Sequence, residues 1–150
     1  MFYFFKNHPF NLAKLLVTTG TSGGYNTQSE VIDLLDPTKK CQPWADYPIG
    51  VDAAAGLFVQ DKMIVCGGDS TYEAGSGAVD QCFEMGPTEV VEAAILETGS
   101  YSSALGIFDQ SVFLTGGFGK DLDFLRIVVQ YSAYFFKMVS TLLTERNTSM

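Results

Sequence analysis

Histidine occurs once in these 150 residues, at His8, and no two cysteines share a C-x-x-C spacing. The three cysteines, Cys41, Cys66 and Cys82, stand far apart in the chain. A structural zinc site wants four Cys or His ligands at short spacing, so the sequence argues against a metal. Cations are scarce as well: 9 Lys and Arg against 17 Asp and Glu leave a net charge of −8. A phosphate backbone is bound by clustered Lys and Arg, so nucleic acid is not an expected partner. The acidic balance suits a basic partner, and it also serves solubility alone. No apolar run approaches the roughly 20 residues that cross a bilayer as a helix, so no membrane span is expected. The first residues lack a basic start, a long apolar core and a small-residue cleavage site. The expected location is therefore cytoplasmic, with an extracellular protein as the alternative.

What is present is apolar residues at 47 % and charged ones at 17 %, the composition of a folded domain rather than a disordered tail. The run from Lys62 to Cys66 is apolar after its first residue and ends on Gly67-Gly68. The same arrangement returns at Val112 to Thr115 with Gly116-Gly117, and more weakly at Leu15 to Thr19 with Gly20. The intervals are 48 residues from Gly20 to Gly68 and 49 from Gly68 to Gly117. A period of about fifty fits one four-stranded unit of an all-β repeat.

Strands are expected at 14–19, 30–35, 41–45, 52–59, 63–66, 79–85, 90–94, 102–108 and 112–115. Asp36-Pro37-Thr38 and Gly86-Pro87-Thr88 form the turns between outer strands. Residues 1–13 read as an irregular aromatic-rich segment, because Pro9 falls where a first strand would run. Residues 123–129 can form a further strand. Beyond them Ile127, Tyr131, Tyr134, Phe135, Met138 and Leu142 recur at spacings of three and four, which predicts a short amphipathic helix over 130–150, outside the repeat.

With glycine pairs, hairpins and proline-containing turns at this period, residues 14–129 resemble the kelch-repeat β-propeller family, over two to two and a half blades. The resemblance rests on Gly67-Gly68, Gly116-Gly117, the degenerate Thr19-Gly20, and Phe83 followed by Gly86-Pro87. The family's usual tryptophan aligns with Cys41 and Val91, and Trp44 stands three residues away. The resemblance implies an all-β fold of four-stranded antiparallel blades, here an incomplete ring, with Gly20, Gly67, Gly68, Gly116 and Gly117 as structural glycines. It also implies that the loops 21–28, 45–52, 69–77, 98–102 and 118–122 line one recognition face. Tyr25, Asp69, Tyr72, Tyr101 and Phe118 are the candidate binding residues. Many relatives are adaptors of cullin ubiquitin ligases or bind actin, so the expected function is non-catalytic protein binding by a scaffold, with no cofactor. Self-association that completes the ring is a further expected partnership. An incomplete fragment without independent function is another reading.

Catalytic alternatives find little support. Gly119-Lys120 resembles the end of a phosphate-binding loop, but Leu114 stands where glycine belongs and Asp121 where Ser or Thr belongs. The carboxylate pairs Asp121 with Asp123 and Glu89 with Glu92 read as exposed acids. Cys41 or Cys82 as a nucleophile would need a histidine base, and only His8 exists. Copper oxidases on related propellers use paired histidines, which this chain lacks. Buried free thiols are the expected state of the cysteines, with a Cys66–Cys82 bridge in an oxidising compartment as the alternative.

Overall fold

Each apolar run that ends in a glycine pair becomes the second strand of a four-stranded antiparallel sheet. The computed structural model describes residues 2–7, 12–21, 23–36, 38–59, 62–71, 76–108, 111–120, 127–132 and 135–141, with side chains between 14 and 120. The first sheet joins β1 (Phe2–Asn7), β2 (Leu12–Thr18), β3 (Ser29–Asp33) and β4 (Gln42–Trp44) in chain order. The second joins β5 (Ala55–Val59), β6 (Lys62–Cys66), β7 (Gln81–Met85) and β8 (Val90–Ile95). The third joins β9 (Ala104–Phe108), β10 (Ser111–Thr115), β11 (Ile127–Ser132) and β12 (Phe135–Thr141).

Every pairing within a sheet is antiparallel and between sequence neighbours. The sheets stand side by side. First strands adjoin first strands, β1 with β5 and β5 with β9, and the fourth strands β8 and β12 also adjoin.

The repeat extends to the backbone. Thr19 and Gly20 take φ of 60° and 108°, Gly67 and Gly68 67° and 109°, Gly116 and Gly117 66° and 91°. This left-handed pair turns the chain out of each second strand. It also fixes which residues are equivalent: Thr18, Cys66 and Thr115 lie just before it, and face Ser29, Cys82 and Val128 across the third strand.

Two apolar layers hold the sheets together, and the alternation of β6 divides its side chains between them. Met63 and Val65, with Phe83 and Met85 of β7, pack towards the first sheet against Leu16, Val31 and Tyr47. Ile64 and Cys66, with Cys82 and Ala55, pack towards the third sheet against Val112 and Leu114. Tyr47 meets Phe83 edge to face at 5.3 Å between ring centroids, a favoured aromatic geometry.

Cys66 and Cys82 form a disulfide across the β6–β7 pair, with Cα atoms 4.1 Å apart. The free-thiol expectation for these two is corrected, because the register sets them directly opposite each other. At the same position of the first sheet, the buried hydroxyls of Thr18 and Ser29 share a hydrogen bond of 2.6 Å. Cys41 is free and exposed.

Two further expectations are corrected. Residues 1–13 are not irregular throughout: β1 pairs with β2 from Phe2↔Val17 to Asn7↔Leu12, ending before Pro9, so the proline interrupts no ladder. The expected C-terminal helix is replaced by strands, with β11 on β10 and β12 on β11, so the third sheet has four strands rather than a truncated set. The segments 127–132 and 135–141 carry many β-branched and aromatic residues, and pairing with β10 decides their conformation over the three–four spacing. Tyr134 and residues 142–150 lie outside the described residues. No α-helix occurs among the described residues, and no helix there is long and apolar enough to cross a membrane.

Candidate functional site

Strand alternation sends the loops after β2, β6 and β10 to one end of the sheets, together with the β4–β5 and β8–β9 connections. Backbone bonds tie these segments into a belt. Gly20 N–H donates to the Val51 carbonyl and Gly68 N–H to the Ser100 carbonyl, both at 2.8 Å. Asp52 and Asp69 exchange two backbone bonds of 3.0 and 2.9 Å, and so do Tyr101 and Phe118. The two pairs are equivalents in successive units. Ser102 N–H then reaches the Ala53 carbonyl at 2.8 Å, linking one unit to the next.

Glycine is required here by contact as well as by φ. A Cβ on Gly67 would fall onto the Ser100 carbonyl oxygen, and one on Gly68 would come within 2.8 Å of the Asp52 carbonyl oxygen. Close approach of neighbouring units depends on those missing atoms.

The belt carries an acidic pair beside an aromatic pair. Asp69 is 4 % exposed, and its Oδ1 accepts from the Thr71 N–H at 3.0 Å and the Thr71 hydroxyl at 3.1 Å. Asp52 is half-buried, and burial, followed by the charge of Asp69, pushes its carboxyl above the usual range. Tyr101 and Phe118 stack at 5.6 Å between centroids. Tyr101 is only 8 % exposed, and burial, followed by the charge of Asp69, raises its hydroxyl pKa.

The expected site residues are thus brought partly together. Asp69, Tyr101 and Phe118 share the belt, with Phe118 half-buried. Tyr25 sits half-buried on the first unit's loop, bridging back to Thr21, with Gly50 beneath its Cβ. Of these, Tyr101 and Asp69 are buried. Tyr72 lies outside the described residues. Asp52 was missed by sequence reasoning. Its signal was its interval of 49 residues to Tyr101, which pairs just as Asp52 does.

At the opposite end, the turn after β3 holds a small groove lined by Lys14, Val31, Asp33, Lys39, Lys40 and Gln42. Lys39 is committed there to Asp33 at 3.3 Å and Asp36 at 3.6 Å. Among the described residues no three His, Cys, Asp or Glu side chains gather as metal ligands.

No family model and no curated protein matches the sequence. Among solved structures 106 chains match it. One is the "Structure of YjhT", with a TM-score of 0.71 at 14 % identity, covering 85 % of this chain and 48 % of that one. The likeness is one of fold, and this chain spans about half the length of that neighbour.

Proposed function

We propose that this chain is a set of three kelch-type propeller blades acting as a non-catalytic protein-binding module through its loop end. The observation that carries the reading is the belt, in which three successive units deliver their glycine-pair loops and inter-unit connections to one surface. Adjoining first strands and adjoining fourth strands are the relation expected of blades radiating from a common axis. The surface offers a half-buried carboxylate at Asp52 and a half-buried Phe118 stacked on Tyr101, with Tyr25 on the first unit's loop. A partner that fits presents a cationic or hydrogen-bond-donating group next to an apolar side chain, since aromatic anchors dominate such contacts.

The test is selection of peptides from a random display library on the full chain. Expected binders weaken at least roughly tenfold on Tyr25→Ala or Phe118→Ala and ignore Glu84→Gln on β7, away from the belt. A selection whose binders are all indifferent to the loop-end substitutions overturns the reading.

The disulfide favours one variant of this proposal, in which the module works in an oxidising compartment, where such bonds persist. Mass spectrometry of native protein, alkylated with and without reductant, tests this. The expected result is Cys66 and Cys82 protected until reduction and Cys41 alkylated from the start. Alkylation of all three without reductant counts against it.

A further inference from the structure

Each contact between units joins two different faces. The middle sheet presents Met63, Val65 and Met85 towards the first sheet, and Ile64, Cys66 and Ala55 towards the third. Register places Leu15, Val17 and Ile32 of the first sheet at the positions of Met63, Val65 and Met85, and among the described residues no further sheet packs on this face, where Leu15 is 9 % exposed and Val17 and Ile32 are half-buried. Ala104, Phe113 and Thr115 of the third sheet stand likewise at the positions of Ala55, Ile64 and Cys66. The middle-sheet residues are buried, Ile64 at 3 % exposure. On the third sheet Ala104 is exposed, Phe113 and Thr115 are half-buried, and Phe108 on the same face is 75 % exposed. The two faces without a neighbouring sheet are therefore the two complementary halves of the contact the chain already makes twice within itself.

We propose that a second copy of this chain covers both faces, the third sheet of each copy packing on the first sheet of the other. Two copies give six sheets, within the range of about four to eight that closes a propeller. The match agrees: 85 % of this chain covers 48 % of the YjhT chain, so the matched parts of two copies are about as long as one such chain. The contact is head to tail, and a head-to-tail contact whose rotation closes yields a discrete ring rather than a filament. The inference rests on the ring reading of the fold and is independent of what the loop end binds.

Light scattering on a size-exclusion column, with the full chain, tests it. Phe108→Asp spoils the third-sheet face, Ile32→Asp the first-sheet face, and circular dichroism checks that both variants fold. Ala104→Asp and Val17→Asp replace either one that does not. Wild type is expected at twice the 16.3 kDa chain mass. Each variant alone is expected as a monomer. An equimolar mixture recovers a dimer, because one of its two contacts is intact, and the affinity is at least roughly tenfold weaker than wild type. Tyr25→Ala and Phe118→Ala leave the dimer mass unchanged, which separates a failure here from a failure of the loop-end reading. A wild-type monomer, an open ladder of larger species, a dimer indifferent to both substitutions, or a mixture that stays monomeric overturns the proposal.

Discussion

The middle sheet is covered on both faces, whereas each flanking sheet is covered by a neighbour on one, and the three share one backbone plan. Gly67 and Gly116 take the same φ, 67° and 66°. A Cβ on Gly67 would collide with the next connection at Ser100, whereas one on Gly116 would find nothing within 4 Å. Ile64 and Phe113 hold the same register position, one sealed between sheets and the other half-open. Local sequence sets the conformation of a unit, and the neighbour sets how much each residue in it matters.

The largest expected effect breaks that comparison at the core. Ile64→Ala removes a side chain packed on all sides and should cost about 2–5 kcal/mol. Phe113→Ala, although it deletes more atoms, should cost less, about 1 kcal/mol in a monomer, because part of its ring already faces water. Urea unfolding of both variants with unchanged slope measures the difference. Equal losses would mean that the third sheet's open face is covered in solution.

A smaller effect is expected at the glycine pair. Gly116→Ala should lose about 1–2 kcal/mol, the cost of a left-handed L-residue. Gly67→Ala carries the same cost and must also displace the Ser100 carbonyl, so it should lose measurably more. The first sheet supplies the reverse experiment. Thr19 already occupies this conformation, with a buried hydroxyl that finds no hydrogen-bond partner among the described residues, so Thr19→Gly should stabilise by roughly 1 kcal/mol. Thermal denaturation of the three variants orders them, and a Gly67→Ala loss no greater than that of Gly116→Ala would break the argument.

The glycine pairs made the period legible in the sequence, and with it the strands on either side, since few residues besides glycine tolerate that turn. Ala53 and Ser102 also take positive φ, 49° and 53°, at equivalent places, yet nothing in their chemistry announces it. The conformation there is imposed by the belt, where Ser102 N–H must reach the Ala53 carbonyl. The stripe through Ile127, Tyr131 and Met138 misled because a run apolar on nearly every side carries no period of its own. Composition decides such a run, and Ile127, Val128 and Val129 favour a strand. At the loop end the aromatic residues could be named from sequence, whereas the burial of Tyr101 and Asp69 depends on segments distant in the chain, Phe118 and Asp52 among them.

The smallest expected effect sharpens the comparison at the belt itself, where the middle unit pairs Asp52 with Asp69 and the third pairs Tyr101 with Phe118. Burial, then the charge of Asp69, holds the Asp52 carboxyl above its usual value of 3.8. The native state therefore binds this proton more tightly than the unfolded chain does. Stability falls as pH rises from about 3.8 through the raised native value, and the loss persists at neutral pH. Asp33 and Asp36 run the other way. The Leu35 N–H lowers the first, the Thr38 hydroxyl lowers the second, and Lys39 assists at both, so their contribution is present above 3.8 and disappears as pH falls through their lowered values. Asp52→Asn should thus raise the melting midpoint slightly at about pH 7, with the gain vanishing below about pH 4, where the wild-type carboxyl is already neutral. A gain of the same size at both pH values would assign the effect to packing of the amide. A gain confined to higher pH would show that the Asp52 charge is disfavoured at the belt, by burial first and by Asp69 second, a cost that a cationic group docking there would relieve.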